Sequence, residues 1–208
     1  MTPDLFLKGL LIGFSIAMPV GPIGLLCIRN VLSFGLMCGL LTGLGAACAD
    51  ALYGALAGFG ITAIGSFLEA YSGYLQVVGA LFLCYLGAST FCAKGSASNT
   101  QETSVRLSEA FLVTFVLTLT NPMTILSFAG VYAGLGLGVG SPNVTGALII
   151  TLGVFLGSAV WWLILSLTSS LFRDKINAKT SVWLNKLSGS VIFGFGVFAL
   201  TTYYWNLE

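Results

Sequence analysis

The sequence predicts an all-α membrane protein of six transmembrane helices. They are arranged as two inverted three-helix repeats, with helices 1 and 4 broken at proline motifs. Three observations carry this. Only 7% of the 208 residues are charged, against about 25% in soluble domains. The runs Gly9 to Ile28, Ala70 to Ala93, Ala110 to Phe172 and Leu187 to Leu207 contain no Asp, Glu, Lys or Arg, and a span needs about 20 such residues. Two of these runs carry prolines at corresponding places.

The spans are read at roughly 4–30, 35–60, 72–92, 108–137, 145–172 and 184–206, separated by turn or charge signals. These signals are Asn30 to Gly35, Gly60 to Glu69, Lys94 to Glu109, the Gly-Ser-Pro-Asn run at 140–143, and Arg173 to Lys186. The organisation is one transmembrane domain, 1–208, with a first repeat over 1–93, a cytoplasmic linker over 94–109 and a second repeat over 110–208. The N-terminus has no basic n-region and no A-x-A site, so it does not read as a signal peptide.

Span one contains SIAMPVGPIGLL at 15–26. A helix interior disfavours proline by about 3 kcal/mol and glycine by about 1 kcal/mol. In lipid, freed backbone groups survive only against protein or a watery cavity. A break also has a use. The half-helix restarting at Pro22 presents N–H groups and a positive dipole end suited to a carboxylate. Span four repeats the device at Thr120-Asn121-Pro122, where Asn121 adds an amide. The bland alternative is a pair of structural kinks. Paired interruptions in inverted halves favour a transport site instead.

Span two holds Asp50, the only acidic residue well inside a span. An Asp at mid-bilayer costs about 2.5–3.5 kcal/mol on insertion scales and is a functional hypothesis by default. Ala46, Gly54 and Gly58 share its helix face, a small-residue ridge that packs inward. No Lys or Arg lies mid-span to neutralise it. It could exchange a proton, pair with a substrate ammonium, or do each in turn. The alternative is a protonated Asp in a structural hydrogen bond. Gly35, Gly39 and Gly43 form two G-x-x-x-G steps, best read as helix packing.

Aligning Gly45 in span two with Gly153 in span five sets Asp50 opposite Ser158 and Tyr53 opposite Trp161. Ser158 and Trp161 therefore join the candidate substrate-binding set. Trp161 and Trp162 otherwise read as packing or interface residues. Arg29, at the end of span one, is expected to snorkel to the cytoplasmic surface. Arg29, Lys94, Arg106, Arg173, Lys175, Lys179 and Lys186 lie on one side and only Lys8 on the other. That side is cytoplasmic by the positive-inside rule, which puts both termini outside.

Several classes are disfavoured. A net charge of +1 suggests no nucleic-acid partner. The five cysteines, Cys27, Cys38, Cys48, Cys84 and Cys92, read as packing residues. Without histidine the usual zinc and haem sets are missing, so no cofactor and no metal centre is expected. An intramembrane enzyme lacks a Ser-His or Cys-His pair, a G-x-S-x-G elbow and paired acids. A non-transporting scaffold would need neither the inward acid nor the matched breaks. The partners expected are the lipid bilayer and a small zwitterion; a homodimer is compatible with the sequence but not required by it.

Taken in order, these residues resemble the LysE/RhtB amino-acid exporters. Met18-Pro19-Val20-Gly21-Pro22 is similar to that family's M-P-G-P-type motif. The glycine-rich span with Asp50, the Asn121-Pro122 break and Gly153-x3-Gly157-Ser158 followed by Trp161-Trp162 fit as well. The resemblance implies export of amino acids or close derivatives from the bacterial cytoplasm across the inner membrane, driven by the membrane potential or the proton gradient. It places function on Pro19, Gly21, Pro22, Asp50, Asn121 and Pro122. Many relatives read Asn-Pro-Lys at the second break, whereas Met123 stands here. Divalent-metal exporters of the same superfamily are the alternative, although such a site normally uses more than one carboxylate.

Overall fold

A computed structural model describes residues 2–19, 21–58, 62–92, 100–121, 124–125, 127–128, 144–173 and 178–205. Its helices are α1 (Thr2–Ala17), α2 (Pro22–Phe34), α3 (Leu36–Gly58), α4 (Thr62–Cys92), α5 (Thr100–Thr120), α6 (Val144–Ser170) and α7 (Ala178–Trp205). No strand occurs among the described residues. Among the described residues, three stretches are long and apolar enough to cross a membrane: Leu36–Leu56, Val144–Ser170 and Val182–Trp205. The pair α1 and α2, bent by 80°, makes a fourth if taken as one span. The stretches Gln76–Cys92 and Leu107–Thr120 are apolar but shorter.

The first break falls where the prolines predict it. α1 stops at Ala17 because Pro19 can offer no N–H to the next turn. α2 restarts with Pro22 in its first turn, a position where the missing N–H costs little. Gly21 is its N-cap, in extended backbone, and no side chain caps it. α5 ends at Thr120, and the Asn121 carbonyl then accepts from the N–H groups of Thr124 at 3.1 Å and Ile125 at 3.2 Å. Asn121 therefore opens a new helical turn. Pro122 and Met123 lie outside the described residues.

Three stretches read as turn or linker are helical in part. α4 begins at Thr62, α5 at Thr100 and α7 at Ala178. Residues 100–109 contain neither glycine nor proline, so nothing stops the helix from extending beyond the apolar run. Gly65 in α4 is a single glycine, which costs too little to end a helix. The turn between α2 and α3 narrows to Gly35, whose φ of +98° suits glycine alone.

Helices pack through glycines. α1 lies along α6, α4 along α7, and α3 lies against both α5 and α6. A β-carbon on Gly153 would stand 2.5 Å from the Phe6 carbonyl oxygen and 2.9 Å from the Leu10 nitrogen of α1. Gly45 meets α5 in the same way, at the Phe111 carbonyl and the Phe115 nitrogen. On α4, a β-carbon at Gly87 would lie 2.5 Å from Phe193 N and 2.8 Å from Gly189 O. On α7, one at Gly189 would lie 2.5 Å from Phe91 N and 2.7 Å from Gly87 O. Gly39 and Gly43 of the G-x-x-x-G steps face Val31 and Trp162.

Candidate functional site

A cavity of about 520 Å³ opens where the two breaks meet. Pro19, Gly21 and Pro22 line it from the first break, and Thr120, Asn121 and Thr124 from the second. Among the described residues, Asp50 is the only charged side chain in its lining. The breaks and Asp50, far apart in sequence, thus converge on one space. They do so because α2 packs on α3 and α3 packs on α5.

Asp50 is 3% exposed. Ser158 donates to its Oδ2 at 2.6 Å, and Trp162 Nε1 donates to Ser158 Oγ at 3.1 Å. An indole N–H can only donate. Ser158 must accept there, which directs its own proton to the carboxylate. Ser158 does not itself line the cavity; it stands behind Asp50 and fixes it.

Trp161 is not in the lining; Trp162 is. Trp161 packs edge-on against Phe14 of α1, with ring centroids 5.6 Å apart. Its Nε1 is buried without a hydrogen-bond partner among the described residues. Trp162 follows Ser158 by four residues and so stacks on the same helix face. The glycine alignment picked Trp161, because matching positions in sequence leaves out the helix rotation that turns its neighbour Trp162 to the cavity. Tyr53, one turn beyond Asp50, donates to the Leu119 carbonyl at 2.6 Å and stacks on Phe128. It thereby ties α3 to the last turn of α5.

Arg29 does not reach the surface. It is 9% exposed, its Nε donates to Asn185 Oδ1 at 2.9 Å, and its guanidinium lies 5.4 Å from the Phe34 ring centroid. α2 lies against α7 there, so the side chain is covered by a neighbour rather than free to extend. Around it, Asn30 donates to Thr42 at 2.8 Å, and Cys27 and Ser166 lie 3.5 Å apart. These contacts tie α2 to α3, α6 and α7 on the far side of the break from α1.

The sequence reading missed most of the wall. Gln76, Gly79, Ala80 and Leu83 of α4 and Phe195, Phe198, Ala199 and Thr202 of α7 line the cavity. Gln76 carried a signal, as the only amide in the uncharged run 70–93. The apolar residues carried none. No group of three or more His, Cys, Asp or Glu that could hold a metal occurs among the described residues.

A family model described as LysE type translocator matches residues 14–202, a range that takes in both breaks, Asp50 and Ser158. The chain belongs to the LysE family of translocators. This LysE-family chain is 28% identical over 200 residues to the Bacillus subtilis (strain 168) protein named "Putative amino acid efflux protein YcgF", covering 94% of each chain. It is also 28% identical over 185 residues to the Escherichia coli (strain K12) "Uncharacterized membrane protein YahN", covering 85% of this chain and 79% of the relative. No solved structure matches. As a LysE translocator it is a multi-pass helical membrane protein, and the cavity between its breaks is the natural place to look for cargo.

Proposed function

We propose that this LysE-family chain is a secondary active exporter of amino acids or close derivatives across the bacterial inner membrane. The observation that carries the reading is Asp50, the only carboxylate among the described residues of the lining, held by Ser158 in the wall of a cavity bounded by two helix breaks. A zwitterion needs an anion for its ammonium and a donor set for its carboxylate. Asp50 supplies the first. The N-terminal turn of α2, uncapped by any side chain, supplies the second through its N–H groups and dipole. Asn121, with Pro122 beyond it, adds the corresponding site from the second break. The name of the Bacillus subtilis relative supports an amino-acid cargo.

In this mechanism ionised Asp50 holds the substrate ammonium. Protonation of Asp50 from outside then releases the substrate outward and lets the empty carrier reset. The coupling is therefore proton antiport. Among the described residues, a divalent cation would meet one carboxylate in this lining, fewer than such ions normally use.

Two inverted three-helix repeats of six spans would serve this cycle, and three reciprocal contacts support them. In a two-fold arrangement, residue i touches j and j touches i. Asp50 and Ser158, opposite each other in the glycine alignment, are hydrogen-bonded. Gly45 and Gly153 meet α5 and α1 through equivalent backbone pairs. Gly87 and Gly189 each press on the other's carbonyl. Loop charges then orient the assembly with both termini outside.

The purified protein, reconstituted into vesicles preloaded with labelled amino acids, tests the reading. Export of at least one amino acid, faster with an inward proton gradient, is expected. Efflux of a divalent metal but of no amino acid would overturn it.

A further inference from the structure

We propose that the exported amino acid carries a neutral, bulky, apolar side chain, received by the part of the cavity wall that α4 and α7 contribute. This rests on the exporter reading above and adds the substrate class. The cavity has two chemistries. Its polar part is Asp50 with the two breaks. The rest of its wall includes Ala80 and Leu83 of α4 and Phe195 and Phe198 of α7.

Charge accounting selects the cargo. A neutral amino acid has one ammonium and one carboxylate, matched by Asp50 and by the helix end. Lysine or arginine would bring a second cation, and Asp50 is the only acid in the lining among the described residues. Glutamate or aspartate would bring a second anion, and no Lys or Arg among the described residues lines the cavity. An unpaired charge against so largely apolar a wall is strongly disfavoured. Met123, at the second break, brings no positive charge either.

Most polar groups near the apolar wall already have partners. Gln76 Nε2 donates to the Ala199 carbonyl at 3.0 Å, tying α4 to α7. Thr120 and Thr202 donate their hydroxyl protons to carbonyls of their own helices, both at 2.9 Å. Thr118 does the same at 2.9 Å. Their hydroxyl protons, and one amide proton of Gln76, are thus already committed, which leaves mainly acceptor oxygens toward a substrate side chain. At about 520 Å³ the cavity lies within the range of small-molecule sites, about 300–1,000 Å³. That leaves room beyond the backbone atoms of an amino acid.

Vesicles containing the full chain and preloaded with labelled leucine, phenylalanine, alanine, lysine or glutamate give the test. Leucine and phenylalanine should leave about tenfold or more faster than lysine and glutamate, a ratio typical of side-chain discrimination. Leu83→Trp should lower phenylalanine efflux about tenfold more than alanine efflux, since the larger side chain needs that space. Phe195→Ala should lower leucine and phenylalanine relative to alanine, and it decides the matter if Leu83→Trp does not fold. Lysine or glutamate leaving as fast as leucine would overturn the inference and leave the exporter reading standing. So would equal losses for alanine and phenylalanine in both folded variants. Failure to export any amino acid would overturn both.

Discussion

Ser158 is held from two sides, and that makes it more than a packing residue. Trp162 donates to it, and it donates to Asp50. A hydrogen bond to a charged group contributes about 1.5–3 kcal/mol. Ser158→Ala should therefore raise the KM for export about tenfold or more and shift its pH profile, with folding retained; unchanged kinetics would remove Ser158 from the site. Tyr53→Phe probes a different residue of the same cluster of helices. It deletes the bond to the Leu119 carbonyl and should lower stability by about 1–2 kcal/mol. A melt of the purified protein in detergent measures it. The place of Asp50 in the cavity wall was legible in the sequence, because a lone acid in an apolar span is costly and is a functional hypothesis by default. The choice of Trp162 over Trp161 was not, because it depends on helix rotation about Ser158, which a linear alignment does not record.

Helix contacts rest on glycine, and substitutions there separate contact from propensity. A side chain at Gly189 would collide with the backbone of Phe91 and Gly87, whereas nothing lies within 4 Å of a β-carbon at Gly194. Gly189→Leu should force α4 and α7 apart, costing about 1–3 kcal/mol or more. Gly194→Leu should be tolerated or mildly stabilising, since glycine is the poorer helix former. Size-exclusion profiles and melting temperatures of the two variants check this; equal behaviour would contradict the close packing of α4 on α7. The breaks were legible because proline leaves a helix few options. The polar ends of α4, α5 and α7 were not, because hydropathy marks where a helix leaves the apolar layer rather than where its hydrogen bonds stop. Glycine content signalled tight packing without naming the partners of any one glycine.

Across the whole molecule, the two sides of the first break differ. Beyond it, α2 is tied down through Arg29 to Asn185, Asn30 to Thr42 and Cys27 beside Ser166. The cavity lies at the break itself. The proposed export cycle would need these ties to loosen in turn, and the positive-inside rule puts both termini outside. In a background without the native cysteines, a cysteine at Thr2 or Glu208 should react with a membrane-impermeant thiol reagent in intact cells, and one at Lys94 should not. The opposite pattern would invert the orientation.

In the proposed cycle Asp50 carries both the substrate ammonium and the coupling proton. Asp50→Asn keeps the shape of the side chain but cannot take a negative charge. Efflux of a labelled amino acid from vesicles should fall by about 100-fold or more, given two lost interactions with a buried charge. A pH gradient should no longer change what remains. Full efflux with an unaltered response to the gradient would contradict the account.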